Sequence, residues 1–148
     1  MKHLLLSLPL VAILLLQVLG EPDYSKHIRD YSEELQAQEP FSSPYLVYFE
    51  SNESALYFLA ARHQNRESDS TFRLAREVLE KVEPGCVILE GFPSSLGISP
   101  GVIVEQLRTY KTVAVIYGAG HLVTQRPALE LLMGPPRFQG RTWSEQMR

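Results

Sequence analysis

The segment Val113-Ala114-Val115-Ile116-Tyr117-Gly118-Ala119-Gly120-His121 decides the fold class. Five consecutive apolar residues, rich in β-branched side chains, read as a strand buried on both faces, as strands of a parallel sheet are. Gly118 and Gly120 then let the backbone turn sharply and carry His121 to the mouth of the sheet. A helix is expected next, within Val123 to Met133, with Pro127 tolerable in its first turn and Gly134-Pro135-Pro136 ending it.

The same grammar repeats upstream. Cys86 to Leu89 is a second continuous apolar run, expected to be buried on both faces. Thr71 to Glu83 carries Phe72, Ala75, Val78, Leu79 and Val82 on one helical face, and Glu77 and Lys81 pair at i,i+4 on the other. Ser70 is placed to cap that helix, and Pro84-Gly85 stops it. Ser99-Pro100 resembles an N-cap followed by proline at the first helical position, and Ile103, Leu107 and Tyr110 continue the stripe. Tyr45 to Phe49 and Ala55 to Ala60 read as strands joined by the turn Glu50 to Ser54, which makes a hairpin. Tyr24, Ile28, Tyr31 and Leu35 recur at helical spacing after Asp23, giving an amphipathic first helix that ends before Pro40. His27 lies beside that stripe and reads as structural. Phe138 to Arg148 shows no period and reads as an irregular tail, with Trp143 docked on the body. The expected architecture is α/β: a small, mostly parallel sheet with an N-terminal hairpin, flanked by helices.

Residues 1–20 form a secretory signal peptide in outline. The basic start Met1-Lys2-His3 precedes an apolar run from Leu4 to Leu16, and Val18 and Gly20 suit signal peptidase. The competing reading is a retained anchor, but the run is shorter than the roughly 20 residues a spanning helix needs and contains Pro9. The layout is then a leader over 1–20, one domain over 21–133 and the tail over 134–148, with a periplasmic or secreted destination. No stable membrane span remains after cleavage. The chain holds 14 Lys and Arg against 17 Asp and Glu, a net charge of −3, and cleavage removes only Lys2. With no basic block, nothing argues for nucleic acid. The single cysteine, Cys86, cannot form an internal disulfide and reads as a buried thiol within a strand. Oligomeric state is not legible.

Parallel strands share a carboxyl edge, and open α/β sheets bind ligands there. Three polar residues fall on it, one after each strand: His63, Glu90 and His121. Two imidazoles and a carboxylate are a common donor set for zinc and related divalent ions. The same three can also do metal-free acid–base work. Each has a plainer reading: Glu90 as an acceptor for loop amides, and His63, within Arg62-His63-Gln64-Asn65, as a solvated surface residue. The glycine-rich turn can also bind an anion at the helix N-terminus, which makes Gly118 and Gly120 candidate cofactor-binding positions. It lacks the third glycine of a dinucleotide fingerprint. Ser94-Ser95 lacks a nucleophile elbow.

Taken together, Ala60-Ala61-Arg62-His63, Ile88-Leu89-Glu90-Gly91 and Tyr117-Gly118-Ala119-Gly120-His121 resemble the Tiki superfamily. That group includes Tiki proteases, TraB-like proteins, erythromycin esterase-like enzymes and haem-binding ChaN proteins. The resemblance runs from about Tyr45 to Met133. It implies that two G-x-x-H motifs and a glutamate form the active edge. Gly118 and His121 match the second motif, Glu90 the acidic position, and His63 the first histidine, with Ala60 where the family has glycine. Only Phe92 to Tyr117 separates the strand of Glu90 from the second histidine motif, so the chain resembles a shortened member.

Three functions follow as expectations. The first is a metal-dependent hydrolase using manganese, cobalt or zinc, with His63, Glu90 and His121 as ligands and Glu90 and His121 as catalytic groups. The second is an extracytoplasmic binding protein, for haem or another ligand, with His121 or a nearby tyrosine as axial group. The third is a degenerate domain without activity.

Overall fold

The computed structural model describes residues 23–63, 66–90, 100–141 and 143. The leader 1–20, the loop holding Ser94, Ser95 and Ser99, and residues 144–148 lie outside the described residues. Among the described residues there are five strands and four α-helices. Strands β1 (Tyr45–Glu50) and β2 (Ala55–Ala61) precede helix α2 (Ser70–Val82) and strand β3 (Cys86–Leu89). Helix α3 (Pro100–Thr109), strand β4 (Thr112–Gly118), helix α4 (Ala119–Met133) and strand β5 (Phe138–Gly140) follow, and a short α1 (Glu33–Ala37) lies before β1.

The sheet order is β3-β4-β2-β1-β5. β3 and β2 each run parallel to β4, whereas β1 is antiparallel to both β2 and β5. The expected hairpin is present, closed by Ser51 N–H donating to the Ser54 carbonyl at 2.9 Å. The sheet is mixed, not mostly parallel. Half of its pairings are antiparallel, because the C-terminal segment expected to be irregular adds β5 to the free side of β1. Trp143 does dock on the body, stacked against Tyr57 with ring centroids 5.9 Å apart.

Strand alternation assigns the two faces. Tyr45, Val47 and Phe49 of β1, Leu56, Phe58 and Ala60 of β2, and Val113, Val115 and Tyr117 of β4 meet Ile103 of α3 and Leu122, Leu129 and Met133 of α4. On the opposite face Leu46 and Leu59 meet Leu74 and Val78 of α2. The chain therefore leaves β2 towards one face and β4 towards the other. These neighbouring parallel strands open a crevice at their carboxyl ends, which is a topological switch point.

Several local expectations change. Helix α2 buries Thr71, Leu74 and Val78, while Phe72 is 43% exposed, so the buried stripe is rotated from the expected one. Asp69, not Ser70, is its N-cap residue, and Glu83 closes it in the left-handed conformation before Pro84. β3 is an edge strand, not a strand buried on both faces: Cys86 and Ile88 pack into the core, but Val87 and Leu89 are exposed. α4 starts directly at Ala119, so Gly120 and His121 lie in its first turn and Pro127 lies in its interior. Proline there removes the donor for the Val123 carbonyl, and the neighbouring Thr124 carbonyl takes the Arg29 N–H at 2.9 Å.

That contact helps explain why the first helix does not form. In place of one amphipathic helix from Tyr24 to Leu35 there is a 3-10 turn at Tyr24–His27 and the short α1, which buries nothing. A short helix is marginal on its own, and here main-chain bonding to α4 takes its place. The segment is then fixed by Glu39. This 8% exposed carboxylate accepts two bonds from Arg126 Nη1 at 2.8 and 2.9 Å, one from Tyr45 Oη at 3.0 Å and one from Gln139 Nε2 at 2.9 Å. One side chain thus ties the N-terminal segment to α4, β1 and β5.

Candidate functional site

Each carboxyl end at the crevice contributes one residue. Glu90 follows β3, and its N–H donates to the Ile116 carbonyl at 3.2 Å, so the end of β4 fixes its backbone. His63 follows β2. Thr71, in the first turn of α2, donates its hydroxyl to the Arg62 carbonyl at 3.1 Å and accepts the Arg62 N–H at 3.2 Å. The start of the His63 segment is therefore held by a helix on the far face. His121 lies on the first turn of α4, its imidazole edge-on to Tyr117 with centroids 5.0 Å apart and planes at 81°.

The three side chains converge. Glu90 Oε2 accepts the Gly118 N–H at 2.7 Å. Its Oε1 lies 3.4 Å from His121 Nε2 and 3.7 Å from His63 Nε2. Solvent access rises across the group, from 32% for Glu90 to 48% for His121 and 84% for His63. The imidazoles are too far from Oε1 for strong hydrogen bonds. Ligands bound about 2.0–2.2 Å from a tetrahedral ion stand roughly 3.3–3.6 Å apart; the His121 separation falls within that range and the His63 separation just outside it. Among the described residues, no group of three or more His, Cys, Asp or Glu side chains, these three included, is placed to form a metal cage. Closing one would require the exposed His63 side chain to turn inward.

The two glycines have a steric role in this geometry. A Cβ at Gly118 would stand 3.2 Å from Glu90 Oε2 and 3.3 Å from His63 Nε2. A Cβ at Gly120 would stand 3.1 Å from the Tyr31 ring. The positive end of α4 faces an anion, and that anion is the carboxylate of Glu90.

Sequence reasoning did not reach Tyr31, Thr71 or the Glu39–Arg126 pair. Arg126 carried a signal: with Glu130 it is one of two formally charged residues in a largely apolar α4, where a partner is to be expected. Burial pulls its guanidinium pKa down, but Glu130 and Glu39 outweigh that and leave it above the ordinary value.

Comparison with protein-family models, curated proteins and solved structures returned no match to this chain. Among the described residues, no helix is long and apolar enough to cross a membrane.

Proposed function

We propose that the chain is a hydrolase whose site is His63, Glu90 and His121, with a divalent metal ion as its cofactor. The observation that supports this reading is the placement of Glu90 Oε1 near two imidazole Nε2 atoms, 3.4 Å from that of His121 and 3.7 Å from that of His63. His63, His121 and Glu90 would hold the ion. A bound manganese, cobalt or zinc ion supplies Lewis-acid activation of water and of a carbonyl oxygen.

The residues' own contributions follow from their surroundings. Gly118 N–H takes one oxygen of Glu90 and leaves Oε1 directed at the histidines, so the carboxylate is oriented before anything binds. With both imidazoles engaged by the ion, Glu90 is the group that could receive a proton from an attacking water and return it to a leaving group. His63 is free to reposition as substrate enters. The Tiki-like motifs support the same assignment; export rests separately on the basic start, apolar run and small residues of a leader over residues 1–20.

The test is hydrolysis of small ester and peptide substrates by metal-stripped protein, with and without added manganese, cobalt or zinc. Activity should appear with metal and fall at least a hundredfold in Glu90→Gln and His121→Ala. Activity that is indifferent to metal and to both substitutions contradicts the proposal.

The openness of the site favours a second reading, ligand capture without turnover. In that case haem is the ligand the resemblance names, and His121 is its axial group. A Soret band that is absent, or unchanged in His121→Ala, removes it.

A further inference from the structure

Beside His63 lies an open cleft of about 550 Å³, within the size range of small-molecule sites. Its lining includes the rings of Tyr31 and Phe41, the small side chains of Ala61 and Ala119, the cationic Arg62, and polar Gln36 and Ser42. Tyr31 is 57% exposed although one part of its ring rests on Gly120, so closely that a Cβ there would stand 3.1 Å from it. Phe41 is anchored from behind by Tyr45, with centroids 6.2 Å apart. The cleft thus combines exposed aromatic surface, small side chains and one cation.

The acidic residue in the wall does not oppose an anion. Glu39 directs its carboxylate to Arg126, Tyr45 and Gln139, and its charge is matched there. Within the lining, His63 has the Glu90 carboxylate 3.7 Å from its Nε2, whereas Arg62 makes no ion pair among the described residues and supplies the positive charge.

We propose that this cleft binds a planar aromatic acyl group, its ring against Tyr31 and its carboxylate or carbonyl head at Arg62. Offset or edge-on packing of a flat ring on Tyr31 covers apolar surface that is otherwise wet. A planar carboxylate matches the two-pronged donor face of a guanidinium. The inference deepens the hydrolase reading by naming the acyl half of its substrate, and it rests on that reading for any turnover.

The test uses 2-naphthoate as probe, titrated by its fluorescence into the metal-stripped mature chain. Saturable one-to-one binding is expected, with 2-naphthylmethylammonium failing to compete. Tyr31→Ala should weaken binding about fivefold, the worth of one aromatic pair, while Tyr31→Phe leaves it unchanged. Arg62→Gln should also weaken it about fivefold or more. Both positions are exposed, and unchanged melting temperatures will verify that the variants fold. No saturable binding, equal binding of the cationic probe, or indifference to both Tyr31→Ala and Arg62→Gln overturns the proposal. Metal uptake by the same preparations separates the two claims. Naphthoate binding with these dependences but no metal uptake upholds the cleft and removes the metal-dependent reading. Metal uptake without naphthoate binding does the reverse.

Discussion

Gly118 donates its N–H to Glu90 Oε2 at 2.7 Å, so the last residue of β4 holds the carboxylate that follows β3. Gly118 has φ −52° and ψ 142°, a conformation open to any L-residue. Its requirement for glycine comes from the crowding of Glu90 and His63 against it, not from its backbone. Gly118→Ala should therefore fold with little change in melting temperature, yet push both side chains apart. Loss of a support that orients ligands typically costs 10–100-fold in metal affinity. Competition dialysis against a chelator measures it. Unaltered affinity would show that the close approach has no bearing on the site.

The Glu39–Arg126 pair is the main polar fastening of the fold. Arg126→Ala leaves an almost fully buried carboxylate without its cation, and breaking such a pair costs about 3–5 kcal/mol. Urea denaturation should show that loss. A double change, Glu39→Met with Arg126→Met, should recover most of it, because the desolvation cost disappears with the charges. If the single variant loses under 1 kcal/mol, the network is not what fastens the N-terminal segment.

Alkaline pH should unfold the protein through its tyrosines. Burial, with the Glu39 carboxylate beside it, raises the Tyr45 phenol far above its usual value of 10.0. Burial and its contacts with Glu50 and Tyr57 raise Tyr48 likewise. The folded pKa values exceed the unfolded ones, so this stability is fully present below about pH 10 and is lost as pH rises beyond it. Tyr45→Phe should flatten the decline above pH 10 in melting curves recorded from pH 7 to 11. An equally steep decline would assign it elsewhere.

The rotated stripe on α2 gives a direct packing test. Leu74 is buried against Leu46 and Leu59, so Leu74→Ala should cost about 2–5 kcal/mol. Phe72 projects outward, and Phe72→Ser should stay within about 0.5 kcal/mol of wild type in the same denaturation experiment. The opposite ranking would restore the register expected from the apolar spacing.

The legible parts of this fold were those set by local pattern. The runs Tyr45 to Phe49, Ala55 to Ala60, Cys86 to Leu89 and Val113 to Tyr117 are all strands, because β-branched and aromatic residues crowd into each. Placing His63, Glu90 and His121 after three of them was enough to bring the three together. Sheet order was not legible. Burial of Val87 and Leu89 depends on whether another strand pairs with β3, and nothing in Cys86 to Leu89 encodes that. The phase of α2 was ambiguous because Phe72 and Leu74 are both apolar, and the sheet selects Leu74. Tyr24 to Leu35 has helical spacing, but the bond from Arg29 to Thr124 and the seat of Tyr31 on Gly120 are tertiary contacts invisible to periodicity. Phe138 to Gly140 is too short to show alternation, and it becomes a strand only because the edge of β1 is open.

The central claim is that two imidazoles and the Glu90 carboxylate form one metal site. Its most direct measurement is titration of metal-stripped protein with cobalt(II), followed by calorimetry and by the visible spectrum. One equivalent should bind, with the intense visible bands of a four-coordinate ion, and His63→Ala, Glu90→Gln and His121→Ala should each weaken binding by at least tenfold. Absence of stoichiometric binding, or binding that survives all three substitutions, would contradict the account.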